Sequence, residues 1–328
     1  FGSGTFVGYD EAEGKRDCWI QGAETQGLIM VSVIVPVLSE NISAARCLYA
    51  AVDAVRNDGE VIVVDGGISG LGTALVGKMG ESPDCLRSVR CTEDRRLWTL
   101  FRIGLDEAKG DKILFTSVHE WLEPGGVSAL EEEMDMLGVD VVQARKTRRI
   151  RRIAVKDSFQ DSLPLHRPVC GAELRQMVGL SGDDRVITPC HTDKMWRREL
   201  LRESLRLGFS GSWGTGEILN FHYFRHARSL AFTDVCIANC HWSAPVPSYS
   251  YRRLDDLRLV YEVKMLTASV EKEGLTEELR KHLVRYVHDL LFQLGWTREA
   301  AVHYLGREFN DRFWKSVGID HSIEELVE

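Results

Sequence analysis

Two stretches near the start of the chain, VSVIVPV (31–37) and VIVVD (61–65), are apolar almost without interruption. A strand with no polar alternation is buried on both faces, which points to the interior of a parallel sheet. Between them SAARCLYAAVDAVR (43–56) sets Ala44, Leu48, Ala51 and Val55 at helical spacing, with Ser43 as its N-cap. The alternation continues. Gly66-Gly67 turns the second strand into a helix around 70–79, and weaker strand material lies at 86–91. A helix over 96–109 ends at Gly110, which suits a C-cap. KILFTSV is the next strand, 126–137 is a helix closed by Gly138, and VDVVQAR (139–145) is a strand. Strands alternating with helices predict an α/β fold with a right-handed, doubly wound sheet.

Further along the pattern loosens. Residues 153–185 read as irregular, VITPCHTDKMW (186–196) as extended and RRELLRESLRLG (197–208) as helical. FSGSWGTGE (209–217) is a Gly/Ser loop, followed by a helix and a strand near 229–238. From 253 onward the spacing is helical, with an apolar stripe at Leu279, Leu283, Val287, Leu290, Leu291 and Leu294 that is expected to pack on the preceding domain. The predicted organisation is a leader over 1–29, an α/β domain over 30–250 and a helical C-terminal region over 251–328.

Composition narrows the class. At 44% hydrophobic and 27% charged residues the chain reads as a soluble globular protein. Lys+Arg 41 against Asp+Glu 49 gives a net charge of −8, so nucleic acid is not an expected partner. No apolar run reaches the roughly 18–20 residues of a membrane span, and no basic-then-apolar leader marks a signal peptide. A cytoplasmic location is therefore expected. Eight scattered cysteines without a C-x-x-C pair fit free thiols in a reducing compartment. Cys236, Cys240 and His241 with Cys190-His191 form a conceivable zinc set, but buried small thiols beside a stray histidine is the preferred reading. His222 and His226, four apart, are likewise read as ordinary surface or core histidines. RKTRRIRR (145–152) carries six basic residues. A solvated strand edge or hairpin is preferred over a phosphate or anionic-membrane contact, on which a peripheral membrane location would rest.

In doubly wound sheets ligands collect beyond the carboxyl ends of the strands. Asp65 and Ser117–Glu120 stand at such ends, which makes them the first candidate site residues.

The segments VSVIVPV, EVIVVDGG, GLDEAKGDKILF with EWLEP, DKMWRRELL and FSGSWGTGE, in this order, resemble the GT-A fold of glycosyltransferase family 2 from about Val31 to about Ser250. The resemblance implies a Rossmann-like, mostly parallel sheet flanked by helices, here with a helical C-terminal extension. It also implies transfer of a sugar from a nucleotide-sugar donor to a glycan or other hydroxyl acceptor, with inversion. On this resemblance Pro36 and Val37 lie near the nucleobase, Asp65 and Gly66 at base or ribose, and Arg102, Ser117 and His119 along the donor. Glu217 or Glu120 would serve as base; Trp213, whose ring suits stacking on an acceptor sugar and packing within the loop equally, is the acceptor candidate. The family's Asp-x-Asp pair, which holds Mn2+ or Mg2+ on the diphosphate, reads Ser117 and His119 here. His119 is the one retained metal-ligand type, since a related glycosyltransferase family uses Asp-x-His there. The family's Gly-Glu-Asp reads Gly216-Glu217-Ile218, and an isoleucine cannot accept a proton. Two readings follow: a divergent, metal-independent transferase drawing positive charge from Arg102, His119 and Arg145 or Lys146, or a catalytically inactive relative that binds or scaffolds in polysaccharide assembly. Self-association or a partner protein accompanies either reading.

Overall fold

The computed structural model of the protein describes residues 31–38, 43–55, 59–79, 85–150, 153–156, 163–178, 186–188, 190–206 and 215–241. The leader over 1–29, Trp213 and the helical region expected from 251 lie outside the described residues.

The chain begins with β1 (Val31–Val37), α1 (Ala44–Val55), β2 (Glu60–Asp65), α2 (Leu71–Lys78), β3 (Leu86–Arg90) and α3 (Leu97–Glu107). β4 (Lys112–Phe115), the short β5 (Glu120–Leu122), α4 (Gly126–Leu137), β6 (Val141–Ile150) and β7 (Ile153–Lys156) follow. β8 (Val169–Cys170), α5 (Gly171–Val178), β9 (Lys194–Arg197), α6 (Arg198–Arg206), α7 (Thr215–Phe224) and β10 (Ser229–His241) complete the described part. All ten strands form one sheet, in the order β3-β2-β1-β4-β9-β6-β10-β5, with β7 beside β6 and β8 beside β10. β3, β2, β1 and β4 are mutually parallel. β9 is antiparallel to both β4 and β6, so β6 runs in the same direction as the first four strands. The sheet is therefore parallel in its first half and mixed in its second.

Both apolar strands are buried at every position, as their unbroken hydrophobicity requires. Their alternate residues feed two cores. Val33, Val35, Val61, Val63 and Leu114 pack with α1 and α4, whereas Ile34, Ile62, Val64, Ile113 and Phe115 pack with α3, α6 and α7. α3 approaches the sheet at Gly104, where a Cβ would lie 2.5 Å from Ile34 Cγ2 and 3.1 Å from Val64 Cγ2. Only a glycine admits that distance.

Some expected boundaries move. Gly138 closes α4 in the left-handed conformation, φ 60°, with its amide on Asp135, as a C-cap glycine does. Gly110 is not a cap. α3 ends earlier, at Ala108 in extended conformation, and the Gly110 amide donates to Ser32 Oγ at 2.9 Å. The region read as irregular contains β7, β8 and α5. β8 is two residues long, too short for any periodicity to register. Among the described cysteines Cys47, Cys85, Cys91, Cys190, Cys236 and Cys240 are free, as expected. Cys170 is the exception: it is disulfide-bonded.

Candidate functional site

The carboxyl ends of β1, β2, β4 and β6 form one edge of the sheet, and the candidate residues stand along it. Pro36 and Val37 end β1, Asp65 ends β2 opposite Val37, and Gly66 donates its amide to the Val37 carbonyl at 2.9 Å. A Cβ on Gly66 would meet Leu100 and Leu38 side-chain carbons at 3.1–3.3 Å, so the turn is closely packed. Leu38 and Ile68 are exposed beside it, at 40% and 80%.

Asp65 is fully buried, and both of its carboxylate oxygens are engaged within the protein. Oδ1 accepts from the Gly67 amide at 3.0 Å and from Arg90 Nη1 at 2.7 Å. Oδ2 accepts from the Thr73 amide at 2.8 Å. The residue before α2 is Gly70, in the left-handed conformation and with no side chain to offer. Asp65 therefore satisfies an amide in the first turn of α2 from a distance, as an N-cap would.

After β4 the chain makes a tight turn. The Glu120 amide donates to the Ser117 carbonyl at 2.9 Å, Val118 is buried in the core, and His119 is exposed at the tip. α1 fixes this turn in two places. Cys47 Sγ donates to the Ser117 carbonyl at 3.2 Å, and the Arg46 guanidinium stacks 3.7 Å above the Trp121 ring. Burial and the nearby Glu120 push the Cys47 thiol up to about 12, with the Thr116 hydroxyl opposing, so it stays protonated and donates. Trp121 thus ties the turn to α1.

Glu120 meets Lys146 of β6 at 2.8 Å, with both side chains largely buried. The same ammonium touches Cys190 Sγ at 2.9 Å and bonds Thr192. Burial alone would discharge Lys146, but Cys190, Glu120 and Asp193 outweigh it and hold its pKa well above the usual lysine value. From here a polar chain crosses the edge. Lys194 donates to the Cys190 carbonyl at 2.7 Å, to the Thr188 carbonyl at 2.8 Å and to Asp193 at 2.8 Å. The Thr188 carbonyl also accepts from Asn220 of α7 at 2.6 Å. Asn220 lies three residues after Glu217, which occupies the first turn of α7. The polar chain thus runs from Glu120 to Asn220 on α7 through residues the sequence reading passed over. The signal was present in VITPCHTDKMW, where Thr188, Cys190, Thr192, Asp193 and Lys194 are polar positions at the entry to a buried strand.

Arg102 is exposed on α3. His191 sits against Phe101, ring centroids 4.8 Å apart, and is lowered to about 3 by burial and then by Lys146 and Lys194. It is a neutral imidazole at pH 7. His222 is buried against Trp98 and is lowered to about 3, first by burial. It is a core histidine.

The divalent cation implied by the fold family does not fit the residues present. Ser117 Oγ lies 3.3 Å from the His119 amide, one Glu120 oxygen is bound to Lys146, and among the described residues no three His, Cys, Asp or Glu side chains converge as a metal site. Cys236 and Cys240 turn instead to Thr147, at 3.2 and 3.7 Å.

The profile of "Glycosyl transferase family 2" matches residues 32–203, more than half of the chain. No curated protein matches by sequence. Solved structures with a similar fold include S. aureus TarS, with a TM-score of 0.60 at 14% identity over 88% of this chain and 49% of that one. S. aureus TarS 1-349 in complex with UDP gives 0.57 at 16% identity, over 88% of this chain and 79% of that one. Its complex with UDP-GlcNAc gives 0.54 at 13% identity, over 90% and 89%. The chain spans about half the length of full TarS. At these identities the likeness is one of fold, the GT-A arrangement of a mixed α/β sheet with flanking helices.

Proposed function

The chain belongs to glycosyl transferase family 2, and on that footing we propose that it transfers a sugar from a nucleotide-sugar donor to a hydroxyl acceptor without a divalent cation. The structures of the same fold that carry UDP and UDP-GlcNAc make a uridine diphosphate sugar the first donor to test. The donor lies over the turns after β1, β2 and β4, with Pro36, Val37, Leu38 and Gly66 beside the base and ribose.

The observation that carries the cation-free reading is the Lys146 ammonium bound to Glu120 at 2.8 Å, beside the turn where the metal-binding pair would stand. A leaving diphosphate needs positive charge where its negative charge develops, and a fixed ammonium supplies it without metal ligands. Lys146, with Arg102 and His119 along the donor, meets the diphosphate. Glu217 takes the acceptor proton, the freed oxygen attacks the anomeric carbon from the face opposite the diphosphate, and the bond to the diphosphate breaks with inversion. Glu120 holds Lys146 in place.

Isothermal titration with UDP, UDP-GlcNAc and GDP, each with and without Mn2+, tests the reading. The expected result is UDP binding indifferent to Mn2+, with Lys146→Met weakening it tenfold to a hundredfold, as the loss of about 1.5–3 kcal/mol of charged hydrogen bonding gives. Glu217→Gln is expected to lower turnover by about 10²–10⁴, measured as UDP release, with donor affinity kept. Binding that requires Mn2+ would overturn the cation-free step.

A second reading, an inactive family member that binds without transferring, is favoured by one observation. Asp65, the residue expected at base or ribose, is consumed by Arg90, Gly67 and Thr73. UDP binding with no UDP release from any donor and acceptor pair would select it.

A further inference from the structure

Lys146 enters the proposed transfer with no donor to spare. An ammonium carries three N–H groups. In the protein they meet Glu120 Oε1 at 2.8 Å, Cys190 Sγ at 2.9 Å and the Thr192 hydroxyl. A diphosphate oxygen that reaches this ammonium must therefore take the place of one of these partners. Register sets the exchange at the donor edge. Met195 of β9 pairs with Leu114 and with Val142, and Leu114 pairs with Val33, so Val33 and Val142 share one row. Four residues on, Lys146 stands level with Val37 and its partner Asp65.

The three partners differ in what they lose. Glu120 binds Lys146 through one carboxylate oxygen, and its other oxygen is buried without a hydrogen-bond partner. Withdrawing the ammonium would leave a buried carboxylate with nothing to offset it, the largest penalty of the three. Thr192 is 2% exposed, so water does not replace what its hydroxyl gives up. Cys190 is half-buried, and sulfur is a weak acceptor beside a carboxylate or hydroxyl oxygen. The chain at Cys190 is also fixed in a way that its sulfur is not. The Cys190 carbonyl accepts from Lys194 at 2.7 Å, and the His191 carbonyl accepts from Trp196 Nε1 at 3.3 Å. The sulfur hangs on one rotatable bond, so a change of χ1 rotamer carries it off Lys146 without moving the backbone.

We propose that Cys190 is the exchangeable partner of Lys146: its sulfur holds the ammonium before the donor binds and yields its place to a phosphate oxygen when the donor arrives. The inference rests on the transferase reading, whose diphosphate contact it specifies. Cys190 is then a positioning residue. It keeps the ammonium aimed, and it weakens donor binding, because the N–H···S contact must break first. The diphosphate brings negative charge of its own, so Lys146 stays charged through the exchange. An ammonium N–H donated to a phosphate oxygen is also stronger than one donated to sulfur, which drives the exchange forward.

Isothermal titration of the full chain with UDP and with uridine, no metal added, tests the exchange. Cys190→Ala removes the partner that the diphosphate displaces, so it is expected to bind UDP about threefold to tenfold more tightly than wild type. Uridine, which carries no diphosphate, is expected to bind both proteins alike. Cys190→Ser keeps an acceptor at the position and is expected to stay near wild type. Melting temperatures separate this role from a structural one. The alanine protein is expected to melt at or below wild type while binding UDP more tightly, whereas a merely structural cysteine would lower both. Should the alanine protein not fold, Cys190→Val, which removes the acceptor and keeps the volume, carries the same expectation. A wild type that does not bind UDP beside an alanine variant that does also supports the exchange. UDP bound by folded Cys190→Ala as well as by wild type, or less well, overturns the exchange and leaves the donor site standing. So does an equal gain for UDP and uridine. UDP bound by none of the folded proteins refutes the donor site itself, and the exchange falls with it.

Discussion

At the scale of single residues, β2 carries a buried carboxylate at each end, each bound within the protein. Glu60, at the start of β2, accepts from Ser32 Oγ at 2.6 Å, from the Lys109 amide at 2.6 Å and from Arg87. Burial alone would raise its pKa, but these donors outweigh it and hold the carboxyl below its ordinary value of 4.5. A carboxyl with a depressed folded-state pKa contributes stability above its unfolded pKa and loses it as pH falls through the folded one. Glu60→Gln is therefore expected to lower the melting temperature at pH 7, by the equivalent of about 1–3 kcal/mol, with the gap to wild type closing below pH ~4. Scanning calorimetry across pH checks this; a gap that stays constant would remove Glu60 from the acid response. Asp65 plays the same part at the other end of β2. Asp65→Ala is expected to destabilise by at least about 1–2 kcal/mol, because α2 loses its first-turn acceptor and Arg90 its partner. If denaturant melts are unchanged while UDP affinity falls, Asp65 serves the ligand and not the fold. The sequence placed Asp65 correctly at a strand end. Its partners were hidden, because Arg90 lies 25 residues away and no local pattern links them.

Elements were legible where periodicity had room to repeat. β1, β2 and α4 fall where unbroken hydrophobicity or helical spacing placed them, α4 with identical limits. β5, at three residues, and β8, at two, offered nothing to count, and they owe their conformation to β10 alongside. The run 145–152 read as a solvated strand edge or a hairpin; β6 pairs antiparallel with β7, but it also lies against β10, which is a tertiary fact. α3 supplies a test at this scale. Gly104→Ala places a methyl 2.5 Å from Ile34 Cγ2, so the helix must lift from β1 and β2. A loss of about 1–3 kcal/mol in urea melts is expected, although alanine is the better helix former. An unchanged midpoint would mean that the sheet yields to α3 at this contact.

For the whole molecule, the family and the sheet edge were legible, and the polar chain linking Glu120 to α7 was not. That chain depends on β9 bringing the polar run 188–194 between β4 and β6, which are joined to each other only through it among the described strands. The parallel half of the sheet can be assembled from residues 31–115, yet β4 meets its partner only when Trp196 reaches Ile113, 83 residues later. During synthesis, at ~5–20 residues per second, the β4 edge therefore stays unpaired for roughly 4–17 s before the strand that covers it has even been translated. An apolar strand edge left open that long is a site for mispairing between nascent chains. The linking strand of the mature sheet is thus also the one whose late arrival closes this hazard.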